Sequence, residues 1–150
     1  MGQSLIQNYI HLVFSSKGVK PLIKPSIEKD LHAYIGGICN ELNCQPLIVG
    51  GYTDHIHVLC MLSKNITLKT LVQKIKANSS KWVKSKDEDL KLFSWQKGYG
   101  SFSINPSQTK IVVEYIKNQH EHHKKKTFKE EYLAFLKKYN VEYDEKYLWD

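Results

Sequence analysis

Residues 47–62 read LIVGGYTDHIHVLCML, and this stretch decides the fold. Leu47–Tyr52 and His55–Leu62 are rich in β-branched and other apolar residues, which predicts two strands. Thr53 and Asp54 between them are turn-forming residues, so the two strands are expected to pair as an antiparallel hairpin. The chain is therefore expected to build its core around a β-sheet.

The segments on either side of this hairpin complete a β-α-β-β-α-β order that is followed by further helices. This order predicts an α+β fold of the ferredoxin-like (RRM-like) split βαβ type, in which an antiparallel sheet carries helices on one face. No repeat or linker interrupts residues 1–150, so one domain with C-terminal helices is expected. The predicted elements are a strand at Tyr9–Ser15, a helix at Ile27–Leu42 capped by Ser26, a helix at Leu68–Lys86 capped by Thr67, a short strand within Phe93–Ile104, helices at Lys110–His122 and Phe128–Tyr139, and a tail at Asn140–Asp150 whose aromatic residues indicate that it docks on a surface and is not disordered.

The composition indicates a polyanionic partner. The net charge is +7, all 22 basic residues are lysine, and nucleic acid is the commonest partner of such a chain. Lysine meets phosphate as a point charge and lacks the bidentate contact that arginine makes to guanine, so backbone attraction should dominate. No apolar run reaches the roughly 18–20 residues that span a bilayer. The three cysteines form no CxxC pair and indicate thiols in a reducing cytoplasm: Cys39, Cys44 and Cys60.

The segment DHIHV, residues 54–58, is the first candidate for chemistry. On a strand, His55 and His57 point to one face, whereas Ile56 and Val58 point to the other. Two imidazoles at this spacing can bind one metal ion, and the apolar neighbours hold the strand rigid. Two hydrogen-bonded structural histidines would produce the same pattern, so the segment alone leaves both interpretations open.

A second candidate is YIKNQ at residues 115–119. On a helix, Tyr115 and Gln119 project the same way. Tyrosine can act as a nucleophile and form a covalent intermediate, although a core tyrosine would give the same pattern. Combined with His55 and His57, the amide oxygen of Gln119 predicts a metal site with neutral ligands, whose full positive charge suits an anionic phosphodiester. Mg²⁺ and Mn²⁺ are the expected ions.

The histidines His120, His122 and His123 form a further cluster beside Lys124 and Lys125. We interpret this cluster as a solvated or phosphate-facing helix end, in preference to a metal site. Lys124 and Lys125 are accordingly candidate DNA contacts.

Five segments together resemble the single-tyrosine HUH transposases of small bacterial insertion sequences, the TnpA type of the insertion sequence 200/605 family. Each segment is weak alone, but their order and spacing are specific, and they extend over nearly the full length of the chain. The segments are His11–Lys17 (HLVFSSK), Gly51–Val58 (GYTDHIHV), Lys74–Ser80 (KIKANSS), Trp95–Gly100 (WQKGYG) and Tyr115–Gln119 (YIKNQ).

The resemblance implies a DNA transposase in which His55, His57 and Gln119 bind Mg²⁺ or Mn²⁺ and Tyr115 attacks the phosphodiester. It implies a 5′-phosphotyrosine intermediate with a free 3′-OH, and rejoining by the reverse attack. It also implies a homodimer that acts on single-stranded DNA hairpins at the ends of a mobile element, in the cytoplasm and away from membranes. Whether the tyrosine serves its own subunit or the partner is left open.

The absence of arginine removes the guanidinium group that often stabilises phosphoryl transition states. The metal and nearby lysines would then carry that task. Lys17 and Lys76 are the candidates, and they join Lys124 and Lys125 as expected DNA contacts.

Two alternatives to a transposase remain at this point. A domesticated single-strand nickase that processes repetitive hairpins would use the same chemistry. A non-catalytic RRM-like module would stack bases on its sheet, although histidines occupy the strand where such modules carry aromatic residues. If Tyr115 is not the nucleophile, Tyr99 and Tyr132 are the next candidates.

Overall fold

A four-stranded sheet lies at the centre of the protein. The structure, a computed structural model, describes residues 2–150. The strands pair antiparallel in the order β2-β3-β1-β4, which confirms the ferredoxin-like prediction. The strands are β1 (Tyr9–Ser15), β2 (Pro46–Tyr52), β3 (His55–Met61) and β4 (Gly100–Ile104).

Two long helices, α1 (Pro25–Glu41) and α2 (Leu68–Lys84), cover one face of this sheet. The side chains on that face come from alternate positions of the strands, because every second residue of β1 and β3 points to it. None of these helices, nor any other among residues 2–150, is both long enough and apolar enough to cross a membrane. The main apolar core lies between helices and sheet and includes Ile10, Leu12, Phe14, Leu31, Ile35, Ile56, Val58, Leu71, Ile75 and the buried, unpaired thiols of Cys39, Cys44 and Cys60.

The opposite face of the sheet is covered by the C-terminal helices α3 (Thr109–Lys117), α4 (Gln119–His122) and α5 (Phe128–Lys138). The sheet residues beneath them include both histidines of β3, which are fully buried. Two smaller apolar clusters pack these helices against the sheet. One joins Val13 and Phe102 to Phe128, Tyr132 and Leu136, and the other joins Leu59 and Ile104 to Ile116.

The prediction of one helix from Lys110 to His122 is wrong at Asn118. This residue leaves the helical conformation, with φ −95° and ψ 19°, and separates α3 from α4. Asparagine is a weak helix former, so a break here costs little. The first helix also begins earlier than predicted: Lys24 replaces Ser26 as its N-cap, because Pro25 suits the first turn.

The last residues of the tail dock on the protein, as predicted. The main-chain oxygen of Asp150 accepts hydrogen bonds from the amides of Lys97 (2.6 Å) and Gly98 (3.2 Å). The Trp149 ring packs against Tyr132, with 5.8 Å between centroids. Residues 140–147 are exposed and connect α5 to this contact.

A glycine in β2 allows α3 to approach the sheet. A Cβ atom on Gly50 would lie 2.6 Å from Cγ2 and 3.1 Å from the carbonyl oxygen of Ile116. Overpacking of this kind costs about 1–3 kcal/mol.

We therefore expect Gly50→Ala to lower the free energy of unfolding by about that amount, as measured by urea denaturation. Gly37→Ala is the matched control, because a Cβ there meets nothing within 4 Å. Gly37 lies inside α1, so alanine should stabilise the protein by about 0.5–1 kcal/mol. Equal effects of the two substitutions would contradict the close approach.

Candidate active site

The two histidines of β3 are oriented by neighbours on their outer nitrogens. His55 Nδ1 lies 2.6 Å from Asp54 Oδ1, and His57 Nδ1 lies 2.7 Å from His11 Nε2. An imidazole held in this way at Nδ1 presents Nε2 to a metal ion in a fixed direction. Both Nε2 atoms point toward α4 and α5, where His55 Nε2 lies 2.8 Å from Gln119 Oε1.

Gln119 lies at the first position of α4 and is buried, with 1% of its surface exposed. Its amide nitrogen donates to Glu131 Oε2 at 3.0 Å, which turns its oxygen toward His55. The same oxygen lies 2.9 Å from His123 Nε2. The structure therefore brings Gln119 to the histidine pair, as the sequence predicted.

Tyr115 projects from α3 to the same place. Its hydroxyl donates a hydrogen bond to Glu131 Oε2 and lies 3.3 Å from His122 Nε2. Its ring meets the His57 ring edge to face, with 5.9 Å between centroids. Burial raises the pKa of Tyr115 well above its usual value, and the negative charge of Glu131 raises it further. The hydroxyl is therefore held in its protonated form by these neighbours.

Glu131, on α5, is the site residue that sequence reasoning missed. Its side chain is 2% exposed, and its Oε1 lies 3.1 Å from His57 Nε2 and 3.5 Å from His55 Nε2. Burial alone would raise the pKa of this carboxyl, but hydrogen bonds to His123 and His57 hold it well below the usual range. Glu131 is thus a buried carboxylate that contacts the nucleophile candidate and all three metal-ligand candidates.

A signal for Glu131 was present in the helical pattern of α5. Phe128, Tyr132 and Leu136 lie four residues apart and form the buried stripe of the helix, and Glu131 falls within that stripe. An acid on the apolar side of a helix requires a partner in the interior. His11 offered a similar signal, because strand alternation puts it on the same face as Val13.

Two members of the histidine cluster, His122 and His123, lie at this site, so the interpretation of the cluster as a solvated helix end holds only for His120. The side chain of His123 is 2% exposed, and its Nε2 lies 3.3 Å from Glu131 Oε1. Its Nδ1 faces the carbonyl oxygen of Lys126 at 2.7 Å. Although burial opposes it, the hydrogen bond and charge of Glu131 raise the pKa of His123. Only His120 keeps an exposed ring, and it pairs with Glu28 at 2.7 Å.

Burial lowers the pKa of two imidazoles on the sheet, His11 and His57. The pKa of His11 falls well below its usual value through burial, with repulsion from His57 adding to the effect. The pKa of His57 is lowered by burial despite the opposing influence of Glu131. Neutral imidazole is the form that ligates a metal ion, so the environment prepares His57 for that role.

The donor atoms at this site fit a divalent cation. One ligand atom from each of His55, His57 and Glu131 lies within 4.8 Å of the others, and a second group of three shares the same carboxylate with His122 and His123. When Nδ1 of His55 donates to Asp54, the lone pair on His55 Nε2 faces the side-chain oxygen Oε1 of Gln119 at 2.8 Å. Two lone pairs at this separation repel unless a cation or a proton lies between them. Nitrogen and carboxylate donors together suit Mn²⁺ and tolerate Mg²⁺.

Among the described residues, none of the four predicted DNA-contacting lysines forms a hydrogen bond or ion pair with the residues of this site. Lys76 is the most constrained, because its ammonium donates to the carbonyl oxygens of Gln96 (2.8 Å) and Gly98 (2.6 Å), and burial lowers its pKa to about 8. Lys124 pairs with Glu121 at 2.9 Å. Lys17 and Lys125 are exposed. Their contact with DNA stays a prediction.

Comparison with known proteins adds three findings. Residues 4–119 match the family model described as Transposase IS200 like. No curated protein sequence matches the chain. The fold is similar to that of a chain provisionally assigned as a transposase from Deinococcus radiodurans R1, at 16% identity and a TM-score of 0.61, over 79% of this chain and 96% of that chain. It is also similar to a REP-associated tyrosine transposase bound to a REP hairpin, at 14% identity and a TM-score of 0.60, over 82% of this chain and 73% of that chain.

Proposed function

The chain belongs to the IS200-like transposase family, and from this premise we propose that it cuts and rejoins single-stranded DNA by metal-dependent transesterification, with Tyr115 as the nucleophile. One observation carries the proposal. Glu131 Oε2 accepts a hydrogen bond from the Tyr115 hydroxyl, and Glu131 Oε1 lies 3.1 Å from His57 Nε2. The nucleophile candidate and a metal-ligand candidate therefore contact the same carboxylate.

The reaction is an exchange of one phosphodiester for another. The Tyr115 oxygen attacks phosphorus, and the bond from phosphorus to the 3′ oxygen breaks, which yields a 5′-phosphotyrosine and a free 3′-OH. Glu131 Oε2 orients the hydroxyl and is the acceptor closest to its proton, and the departing 3′ oxygen takes up a proton in turn. Rejoining is the reverse attack by a 3′-OH. It requires no external energy source, because the aryl phosphodiester retains the free energy of the broken backbone phosphodiester.

His55, His57 and Glu131 would hold the metal ion, with Gln119 as a further oxygen ligand. A bound Mg²⁺ or Mn²⁺ supplies Lewis-acid polarisation of the phosphodiester. The chain itself orients these ligands through Asp54, which fixes the direction of the His55 ring.

The proposed substrate is single-stranded DNA that forms hairpins at the ends of a mobile element. The family and the net charge of +7 support it. The REP hairpin bound by one structural neighbour is consistent with the same substrate class. We propose that the protein acts on this DNA in the cytoplasm as a homodimer in which each subunit carries its own complete site. The complete site in each subunit is supported by Tyr115 on α3, whose hydroxyl contacts Glu131 and His122 of its own chain.

A non-catalytic RRM-like module fits the structure less well. Such modules stack bases on an open sheet face. Here α3, α4 and α5 cover the face that carries His11 and His57, and both side chains are at most 1% exposed. Bases therefore cannot reach that face without displacing the helices.

The proposal is tested with a 5′- and 3′-labelled single-stranded hairpin DNA taken from the sequence flanking the gene. The protein and DNA are incubated with Mn²⁺ and separated on a denaturing gel. A band of protein covalently joined to DNA, dependent on Mn²⁺ and reversed by adding a strand with a free 3′-OH, is the expected result. Absence of any adduct from the native protein would refute the enzymatic proposal.

Replacement of Glu131 by glutamine tests the shared carboxylate. Glu131→Gln keeps the size of the side chain but removes the negative charge at hydrogen-bond distance from His57 and His123. Because glutamine still offers a neutral amide oxygen but no charge, we expect Mn²⁺ affinity, measured by calorimetry, to fall by at least the roughly 10–100-fold that loss of an outer partner costs, and adduct formation to fall with it. Glu130→Gln is the matched control, because Glu130 is exposed and only completes the capping box with Thr127, a task that glutamine also performs. If both variants bind Mn²⁺ as the native protein does, Glu131 is not a ligand.

A further inference from the structure

A cavity of about 260 Å³ opens between α3 and α5, beside the hydroxyl of Tyr115. Its volume lies near the lower end of ligand-binding pockets, which begin at about 300 Å³. Because Tyr115 forms part of the wall, any group in the cavity lies next to the reacting oxygen. The other lining residues are His11, Ile111, Val112, His122, Lys126, Glu131, Ala134, Phe135, Lys138 and Tyr139.

The sides of the cavity are apolar and aromatic. Ile111 is 63% exposed, so its apolar side chain is free to contact a group that enters the cavity. Phe135 is held in place by stacking on Phe102, with 5.5 Å between centroids, and by an edge contact to His11 at 5.3 Å. Rigid aromatic walls of this kind suit a flat, partly apolar group.

The charges around the cavity are arranged for an anionic ligand with a flat neutral part. Lys126 and Lys138 line it and bring two positive charges, whereas the carboxylate of Glu131 is already engaged by Tyr115 and the histidines. Phosphates on either side of a nucleotide would be attracted to the lysines. A nucleobase has the π-face that aromatic walls accept, and bases differ modestly in the strength of that stacking.

We propose that this cavity receives the base of the nucleotide flanking the phosphodiester that Tyr115 attacks. The inference rests on the proposed function, because it names the part of the substrate that lies beside the nucleophile. Seating that base would hold the phosphodiester against the hydroxyl and would make cleavage depend on base identity at one flanking position. A base-binding cavity would give sequence preference to a chain that has no arginine to recognise guanine.

The inference is tested by filling the cavity. Ala134 is an exposed lining residue on α5, so Ala134→Phe occupies the space without altering Tyr115 or the metal-ligand candidates. Ala77→Phe is the matched control, because Ala77 is exposed on α2, on the opposite face of the sheet. A second variant, Ile111→Ala, removes one wall at an exposed position and covers the case in which Ala134→Phe does not fold.

The substrate is a pool of single-stranded hairpins with randomised nucleotides on both sides of the stem, incubated with Mn²⁺. DNA joined to the protein and the released fragment are both sequenced, so that the bases on the two sides of the cleaved bond are read. We expect the native protein and Ala77→Phe to favour one base over the least favoured by roughly three- to tenfold at one flanking position, because bases differ only modestly in stacking strength. Ala134→Phe should lower the rate of adduct formation and abolish that preference, and Ile111→Ala should weaken it.

The outcomes separate the two proposals. Adducts with no flanking preference, or a preference that Ala134→Phe and Ile111→Ala leave equal to that of Ala77→Phe, would overturn the base pocket while the cleavage reaction stands. No adduct from the native protein on any hairpin in the pool would overturn the proposed function, and the base pocket with it.

Discussion

The Tyr115→Phe variant is expected to form no covalent adduct with single-stranded DNA. Phenylalanine keeps the ring that contacts His57 and Phe135 and removes only the hydroxyl that reaches Glu131. Loss of an enzyme nucleophile typically lowers turnover by at least about 10⁴-fold. The measurement is the amount of protein–DNA adduct on a denaturing gel in the presence of Mn²⁺, with hairpin affinity measured separately by fluorescence anisotropy. Affinity should be nearly unchanged, because the hydroxyl lies in the interior of the site.

Two other tyrosines provide controls for that result. Tyr99 lies beside Lys76, and Tyr132 is buried against Phe128 with its pKa raised by burial to about 12. Tyr99→Phe and Tyr132→Phe should both form the adduct. An adduct that survives Tyr115→Phe and disappears in one of these variants would move the nucleophile to that tyrosine.

The second large effect is expected from His57→Asn. Asparagine is too short to reach the position of the imidazole Nε2, so the site loses one of its nitrogen donors. Because replacement of an outer partner of a metal ligand already costs about 10–100-fold in affinity, loss of a ligand should exceed about a hundredfold. Mn²⁺ binding by calorimetry and adduct formation should fall together, whereas hairpin binding without metal should remain.

His32→Asn is the matched control for this variant. His32 lies on α1 and is partly buried, whereas His57 is fully buried, and the His32 Nε2 atom has no hydrogen-bond partner among the described residues. It should bind Mn²⁺ and form the adduct as the native protein does. If His57→Asn loses hairpin binding along with cleavage, or loses the folded state in circular dichroism, His57 has a structural role and the metal-ligand assignment fails.

The sequence by itself determined the sheet and most of the candidate site. Strand alternation in β3 was enough to predict that His55 and His57 share a face, because a strand has a period of two that packing cannot alter. The spacing of Tyr115 and Gln119 was enough to predict that they project together, even though the helix breaks at Asn118. Both are local geometric facts, which depend only on residues within a few positions of each other.

Only the tertiary structure decided which distant groups meet these residues. Glu131 lies 74 positions after His57, and His11 lies 46 positions before it, yet both come within 3.1 Å of its ring nitrogens. No local rule predicts such contacts, because they depend on how α5 packs over the face of β1 and β3. The same packing places Tyr115 against the histidine pair of its own chain. The residue types of the candidate site were predicted from the sequence. The carboxylate that joins them was decided by burial, since an acid confined to the interior must lie where partners for its charge already are.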